Sequence, residues 1–101
     1  MAIVTAAQKV ILLECISGKD HHRKLQVGAQ PVVMADATLH PQLPVKEIAA
    51  GQGFLTFYAD NEILVFDAHN CVLRVFLNNI EVKKGSMQQH DVLRIDESIW
   101  R

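Results

Sequence analysis

"VFLNNIEV", residues 75–82, sets two asparagines between two apolar runs, and how it is read decides the fold. A two-residue turn at Asn78 and Asn79 fixes a hairpin register in which Leu77 faces Ile80 and Val75 faces Val82. These four aliphatic side chains share one face. The other face pairs Phe76 with Glu81 and Arg74 with Lys83, a mixed surface suited to water. Such turns need positive φ, which asparagine tolerates better than most residues other than glycine. The stretch is therefore a β-hairpin with one buried face.

The same logic extends outward. "FLTFYA" and "EILVF" are expected to meet across Asp60 and Asn61, placing Leu55, Phe57, Leu64 and Phe66 on one inward face at the centre of the core. Short β-rich runs recur between Gly, Asn, Asp and Pro clusters. They predict strands near Lys9–Ile16, Arg23–Val27, Val32–Met34, Val45–Ile48, Phe54–Ala59, Ile63–Phe66, Leu73–Leu77, Ile80–Lys83 and Val92–Ile95, with a last strand starting at Ile99. A second reading of "AAQKVILLECI", residues 6–16, is a helix buried all round. "ADATLHPQLP", residues 35–44, has two prolines and little β character, and reads as a loop. At the C-terminus "IDESIWR" reads as a strand, a turn at Asp96 to Ser98 and a new strand cut short at Arg101. Natural domains seldom stop in mid-strand, so the expectation is one domain over residues 1–101, an N-terminal piece of a larger protein.

The 101 residues, 50% hydrophobic and 21% charged, suit a single globular domain with one modest core. With a formal net charge of -1 and mixed signs along the chain, no field draws it to nucleic acid or to an anionic bilayer. The N-terminus lacks the basic start and cleavage pattern of a secretion signal, and no stretch reaches the ~18 apolar residues of a membrane span. Cys15 and Cys71 lie far apart, which favours free packed thiols in a reducing compartment over one bridge.

Signals for chemistry are few. His21, His22, His40, His69 and His90 show no converging ligand pattern and read as exposed loop residues, so no metal and no cofactor are expected. Ser17, Ser86 and Ser98 fall in turns without a nucleophile elbow, and neither cysteine has a histidine beside it in a recognisable motif. "GQG" at 51–53 is a turn, too short for a phosphate loop. Carboxylates such as Asp67, Asp91, Asp96 and Glu97 flank turns, where they cap backbone groups. "KDHHRK", residues 19–24, is a local basic patch, either solvated rim or partner contact. An exposed edge strand is a further contact candidate.

From Phe66 onward the chain resembles the forkhead-associated (FHA) domain, whose second half reads as a strand ending in Asp, a loop, "FVNG" and an "Lxx-Gly-Asp-x-Ile-x-Ile" strand. Here "FLNN" stands for "FVNG", and "MQQHDVLRI" keeps the later spacing at Met87, Asp91, Leu93 and Ile95, with Asn79 and His90 where glycines are usual. The resemblance covers residues 63–95 and implies an antiparallel, all-β sandwich with loops gathered at one end. It also implies phosphothreonine recognition through a Gly-Arg pair, a Ser-x-x-His segment and a later Asn. This chain has no arginine between residues 25 and 73; Lys46 and Ala49 replace the Ser and His, and Leu73 takes the Asn position with Asn70 close by. Scaffold positions are kept and contact positions are lost. The order "ISGKDHHRKLQV", "VVMADATLHPQLPV" and Trp100 is similar to the phosphate-blind FHA-like domains of ring proteins in the type III secretion apparatus.

The leading expectation is an FHA-like, non-enzymatic scaffold module. It would be the cytoplasmic domain of an inner-membrane protein, attached through a segment outside these residues, with protein partners or a homo-oligomeric ring. Asn70, Arg74, Asn78 and Asn79 are its candidate binding residues, expected at one loop-rich end. Two other readings stand beside it. One is a phosphopeptide reader with a rebuilt site, charged by Lys46, His69 and Arg74. The other is an unrelated β-sandwich for a small ligand or carbohydrate, which needs a concave aromatic platform from residues such as Tyr58 and Trp100.

Overall fold

The computed structural model describes residues 10–101. Among them the chain forms β1 (Ile11–Ser17), β2 (Lys24–Val27), β3 (Val32–Ala35), β4 (Leu43–Pro44), β5 (Phe54–Asp60), β6 (Ile63–Asp67), β7 (Val75–Leu77), β8 (Ile80–Glu81), β9 (Lys84–Met87), β10 (Leu93–Ile95) and β11 (Ser98–Trp100). One 3-10 turn, Ala37–Leu39, follows β3. The strands make a six-stranded sheet in the order β2-β1-β11-β10-β7-β8 and a five-stranded sheet in the order β4-β3-β5-β6-β9. Every pairing is antiparallel except β3 with β4, which is parallel. The expected all-β, two-sheet sandwich is therefore present, with that one parallel pair as a departure. Residues 11–16 are strand, which excludes the helical reading there; the Lys9 end of the expected strand lies outside the described residues.

The hairpin at Asn78 and Asn79 has the expected register, with Leu77 opposite Ile80 and Phe76 opposite Glu81. Both asparagines have positive φ, 50° and 70°. Val82 continues the pairing by donating its N–H to the Val75 carbonyl. Burial along this face fades towards the turn, from fully buried Val75 to Ile80 at 67% exposure. Arg74 precedes the paired residues of β7, and its Nε donates to Glu81 Oε2 at 2.8 Å.

The second hairpin corrects its expected turn. Phe57 pairs with Phe66 and Asp60 with Ile63, so the turn residues are Asn61 and Glu62, with Asn61 at φ 56°. The pairing has slid by two residues from the expected register. Because side chains alternate with a period of two, a two-residue slip leaves every face unchanged. Leu55, Phe57, Leu64 and Phe66 are accordingly all buried on the inner face, at 0–2% exposure. They join Leu13, Val27, Met34, Ile48, Val75, Leu93, Ile95 and Trp100 in one core between the sheets.

Three other strand expectations change. Val45–Ile48 is not a strand; the short β4 precedes it, and Val45 adds one backbone bond to the Ala35 carbonyl. Val45 and Ile48 are apolar because they are buried, at 4% and 0% exposure, and not because they are extended. The strand expected over Ile80–Lys83 ends at Glu81, after which the chain leaves the six-stranded sheet and enters the other as β9. Lys84–Met87, "KGSM", lacks β-branched residues and buries only Met87, so its composition does not announce a strand. Gly85 serves that crossing: a Cβ there would stand 3.1 Å from the Phe66 ring. The last strand starts at Ser98, one residue before the expected Ile99.

Candidate functional site

Strand directions sort the loops to two ends. Ala35 pairs with Phe54, Thr56 with Asp67 and Val75 with Ile95, so loops 36–42, 45–53 and 68–74 and the turn at 96–97 share one end. The turns at 61–62 and 78–79 and the loop 88–92 share the other. Asn70 and Arg74 thus lie at the first end, Asn78 and Asn79 at the second, with β7 running between them. The expectation that all four occupy one end is corrected. Their closeness in sequence hides the fact that a strand carries the chain from one end of the sandwich to the other.

At the first end the controlling residue is Asp20, which sequence reasoning did not single out. Its carboxylate is buried at 2% exposure and accepts the Lys46 N–H at 2.8 and 3.0 Å and the Glu47 N–H at 2.9 Å. Loop 18–23 is bent to deliver it, with the Arg23 N–H donating to the Asp20 carbonyl and His22 at φ 77°. Glu47 is buried beside it, with Oε2 4.0 Å from Lys19 Nζ and Oε1 without a hydrogen-bond partner among the described residues. This loop end therefore holds two buried carboxylates. Two of the backbone donors that an anion would need are already occupied from inside. Ala49 is held to Gln52 in both directions, donating its N–H to Gln52 Oε1 at 2.7 Å and accepting the Gln52 N–H at its carbonyl at 3.1 Å.

The other loop residues take structural parts. His21 and His22 stack with ring centroids 3.8 Å apart, and both are exposed. His69 Nδ1 lies 3.0 Å from Asp67 Oδ1, and the His69 N–H donates to the same oxygen at 2.8 Å; the backbone N–H first and the ring second hold the Asp67 carboxyl below its usual range. No group of three or more His, Cys, Asp and Glu that could hold a metal occurs among the described residues. Cys15 and Cys71 are free, and burial pushes both thiols up from their usual pKa. Asn70 contributes its backbone: its carbonyl accepts the Phe54 N–H at 3.1 Å and crowds Gly53, where a Cβ would come within 1.8 Å of it.

Arg74 belongs to a different surface, the outer face of the six-stranded sheet. Directly paired positions run across four strands there: Glu81, Phe76, Arg94 and Ile99. Both guanidiniums lie over the Phe76 ring, Arg94 at 4.2 Å and Arg74 at 5.2 Å from its centroid. The Glu81 hydrogen bond holds Arg74 in place, and it raises the arginine's pKa while lowering the glutamate's.

At the second end, Asn78 does more than turn the chain. Its Oδ1 accepts the Val92 N–H at 2.9 Å and its Nδ2 donates to Asp91 Oδ1 at 3.1 Å. The Gln88 N–H first, and Asn78 second, lower the Asp91 pKa. Asn78→Ala is expected to cost about 1 kcal/mol in urea unfolding and to move the Asp91 carboxyl resonance titration upward. A depressed carboxylate pKa contributes stability above the unfolded value of about 3.9 that is lost as pH falls through the folded one, so the gap between wild type and variant should narrow in that window. A gap that widens on acidification would contradict the assignment.

The outer face of the five-stranded sheet carries an open groove of about 520 Å³ along Thr56, Tyr58, Val65, Asp67, Lys84 and Ser86. Tyr58 is 41% exposed there, whereas Trp100 is fully buried and unable to serve an aromatic platform. No helix among the described residues is long and apolar enough to cross a membrane. The chain matches no protein-family model, no curated protein and no solved structure at a significant level.

Proposed function

We propose that this protein is a non-enzymatic interaction module with an FHA-like fold whose loop end does not grip phosphate. The observation that carries the proposal is the Asp20 carboxylate on the Lys46 and Glu47 amides. A phosphoryl group brings up to two negative charges and needs a fork of free donors to offset its desolvation. Here it would approach two buried carboxylates instead, and the cation beside them, Lys19, already lies 4.0 Å from Glu47. The FHA-like reading also draws support from the two positions that depart from the family's glycines. Asn79 and His90 have φ of 70° and 77°, the backbone geometry for which glycine is best suited.

The wider proposal is a scaffold on the cytoplasmic side of a membrane-bound assembly of the secretion type, and it rests on the order of segments around residues 16–44 and on Trp100. A reading frame that continues beyond Arg101 into a membrane span supports it; a kinase or nuclease domain there overturns it. The loop-end proposal is tested with a phosphothreonine peptide library and its dephosphorylated counterpart. Equal, non-saturable signals are expected. Saturable binding abolished by dephosphorylation would instead establish the rebuilt phosphopeptide site.

A further inference from the structure

We infer that the outer face of the six-stranded sheet, centred on Phe76 and Arg94, docks an acidic, extended segment of a partner protein. This rests on the interaction-module reading and names the chemistry of the partner. Two ion pairs lie on that face, Glu81 with Arg74 at 2.8 Å and Glu14 with Lys24 at 3.8 Å. Arg94 has no carboxylate partner among the described residues, although it is exposed and its guanidinium is held 4.2 Å above the Phe76 ring. The contact with the ring restrains the guanidinium while its N–H groups can still donate to another group, which reduces the side-chain freedom lost on binding. Its cross-strand neighbours Phe76 and Ile99 are half-buried and give an apolar floor on either side.

A fixed fork for a carboxylate, flanked by apolar ground, fits a strand whose alternate side chains are acidic and aliphatic. A polyanion such as nucleic acid fits worse, because Glu81 stands in the same row and the chain's net charge is -1.

The probe is a fluorescein-labelled peptide repeating Glu-Ser-Val-Ser, which when extended presents carboxylate and aliphatic side chains alternately on one face. The same repeat with Lys for Glu is the control. Anisotropy titrations should show saturable binding of the glutamate peptide only, weakened about tenfold or more by Arg94→Ala, with smaller losses for Arg94→Lys. Both substitutions are at an exposed position, and thermal melts by circular dichroism should confirm that the variants remain folded. Amide chemical-shift mapping locates the bound peptide. Absence of preference for the glutamate peptide, or full affinity in folded Arg94→Ala, overturns the inference. Shifts confined to Lys46, Lys83 and Lys84 also overturn it, while leaving the interaction-module reading in place. Phosphate-dependent binding in the library experiment fails that broader reading instead.

Discussion

Replacing Trp100 by alanine is expected to lower the unfolding free energy by about 3–5 kcal/mol. The ring is fully buried in the core shared by the two sheets, on a strand clamped between β1 and β10. Its indole N–H donates to Ser98 Oγ at 3.0 Å, and Ser98 Oγ donates in turn to the Ile95 carbonyl at 2.9 Å. Alanine would leave a cavity that the surrounding strands cannot close without breaking their ladders. For a domain of this size the loss is a large fraction of total stability, since small domains have about 5–15 kcal/mol in all. Urea unfolding followed by circular dichroism measures it. Trp100→Phe keeps an aromatic ring but loses the N–H donor and part of the indole volume, and should cost less than alanine, about 1–3 kcal/mol. A loss below about 1 kcal/mol for the alanine variant would mean that the C-terminal strand is not part of the core.

Asp20→Ala is expected to cost about 2–5 kcal/mol, because it leaves the Lys46 and Glu47 N–H groups without their acceptor. The bonds run between two loops far apart in sequence, so the substitution should also speed amide exchange at Lys46 and Glu47 more than in the strands. Asp20→Asn, which keeps one acceptor oxygen but no charge, should fall between wild type and alanine. The same variant tests the functional argument. If the carboxylate occupies donors that an anion would otherwise take, inorganic phosphate should raise the melting temperature of Asp20→Ala and leave that of the wild type unchanged. A wild type stabilised equally by phosphate would contradict the account of the loop end.

Much of the architecture was legible along the chain because it is local. The Asn78–Asn79 hairpin follows from turn geometry and alternation over eight residues, and its register agrees with that reading. The inward face of the second hairpin survives even though its turn lies at Asn61–Glu62, since a slip of two restores the same side of the pleat. Legibility stops where a residue's role is set by a distant one. Val45 and Ile48 carry the apolar signature of a strand, yet Asp20 takes the amides of Lys46 and Glu47 and bends the segment. Lys84–Met87 carries no signature and becomes an edge strand because β6 offers it a ladder. Neither Asp20 nor Arg94 stands out in composition or spacing.

The sequence by itself determined the class of structure: short strands, tight asparagine turns and alternating faces, which depend on the conformational limits of each residue and its near neighbours. Only the tertiary structure decided which loops share an end, that Asp20 plugs the donors there, and that Arg94 lies across the Phe76 ring. Those outcomes depend on strand order and direction, as when Arg94 meets Phe76 only because β10 pairs antiparallel with β7. Strand order is chosen by the burial of a whole core at once, and no local run of side chains encodes it.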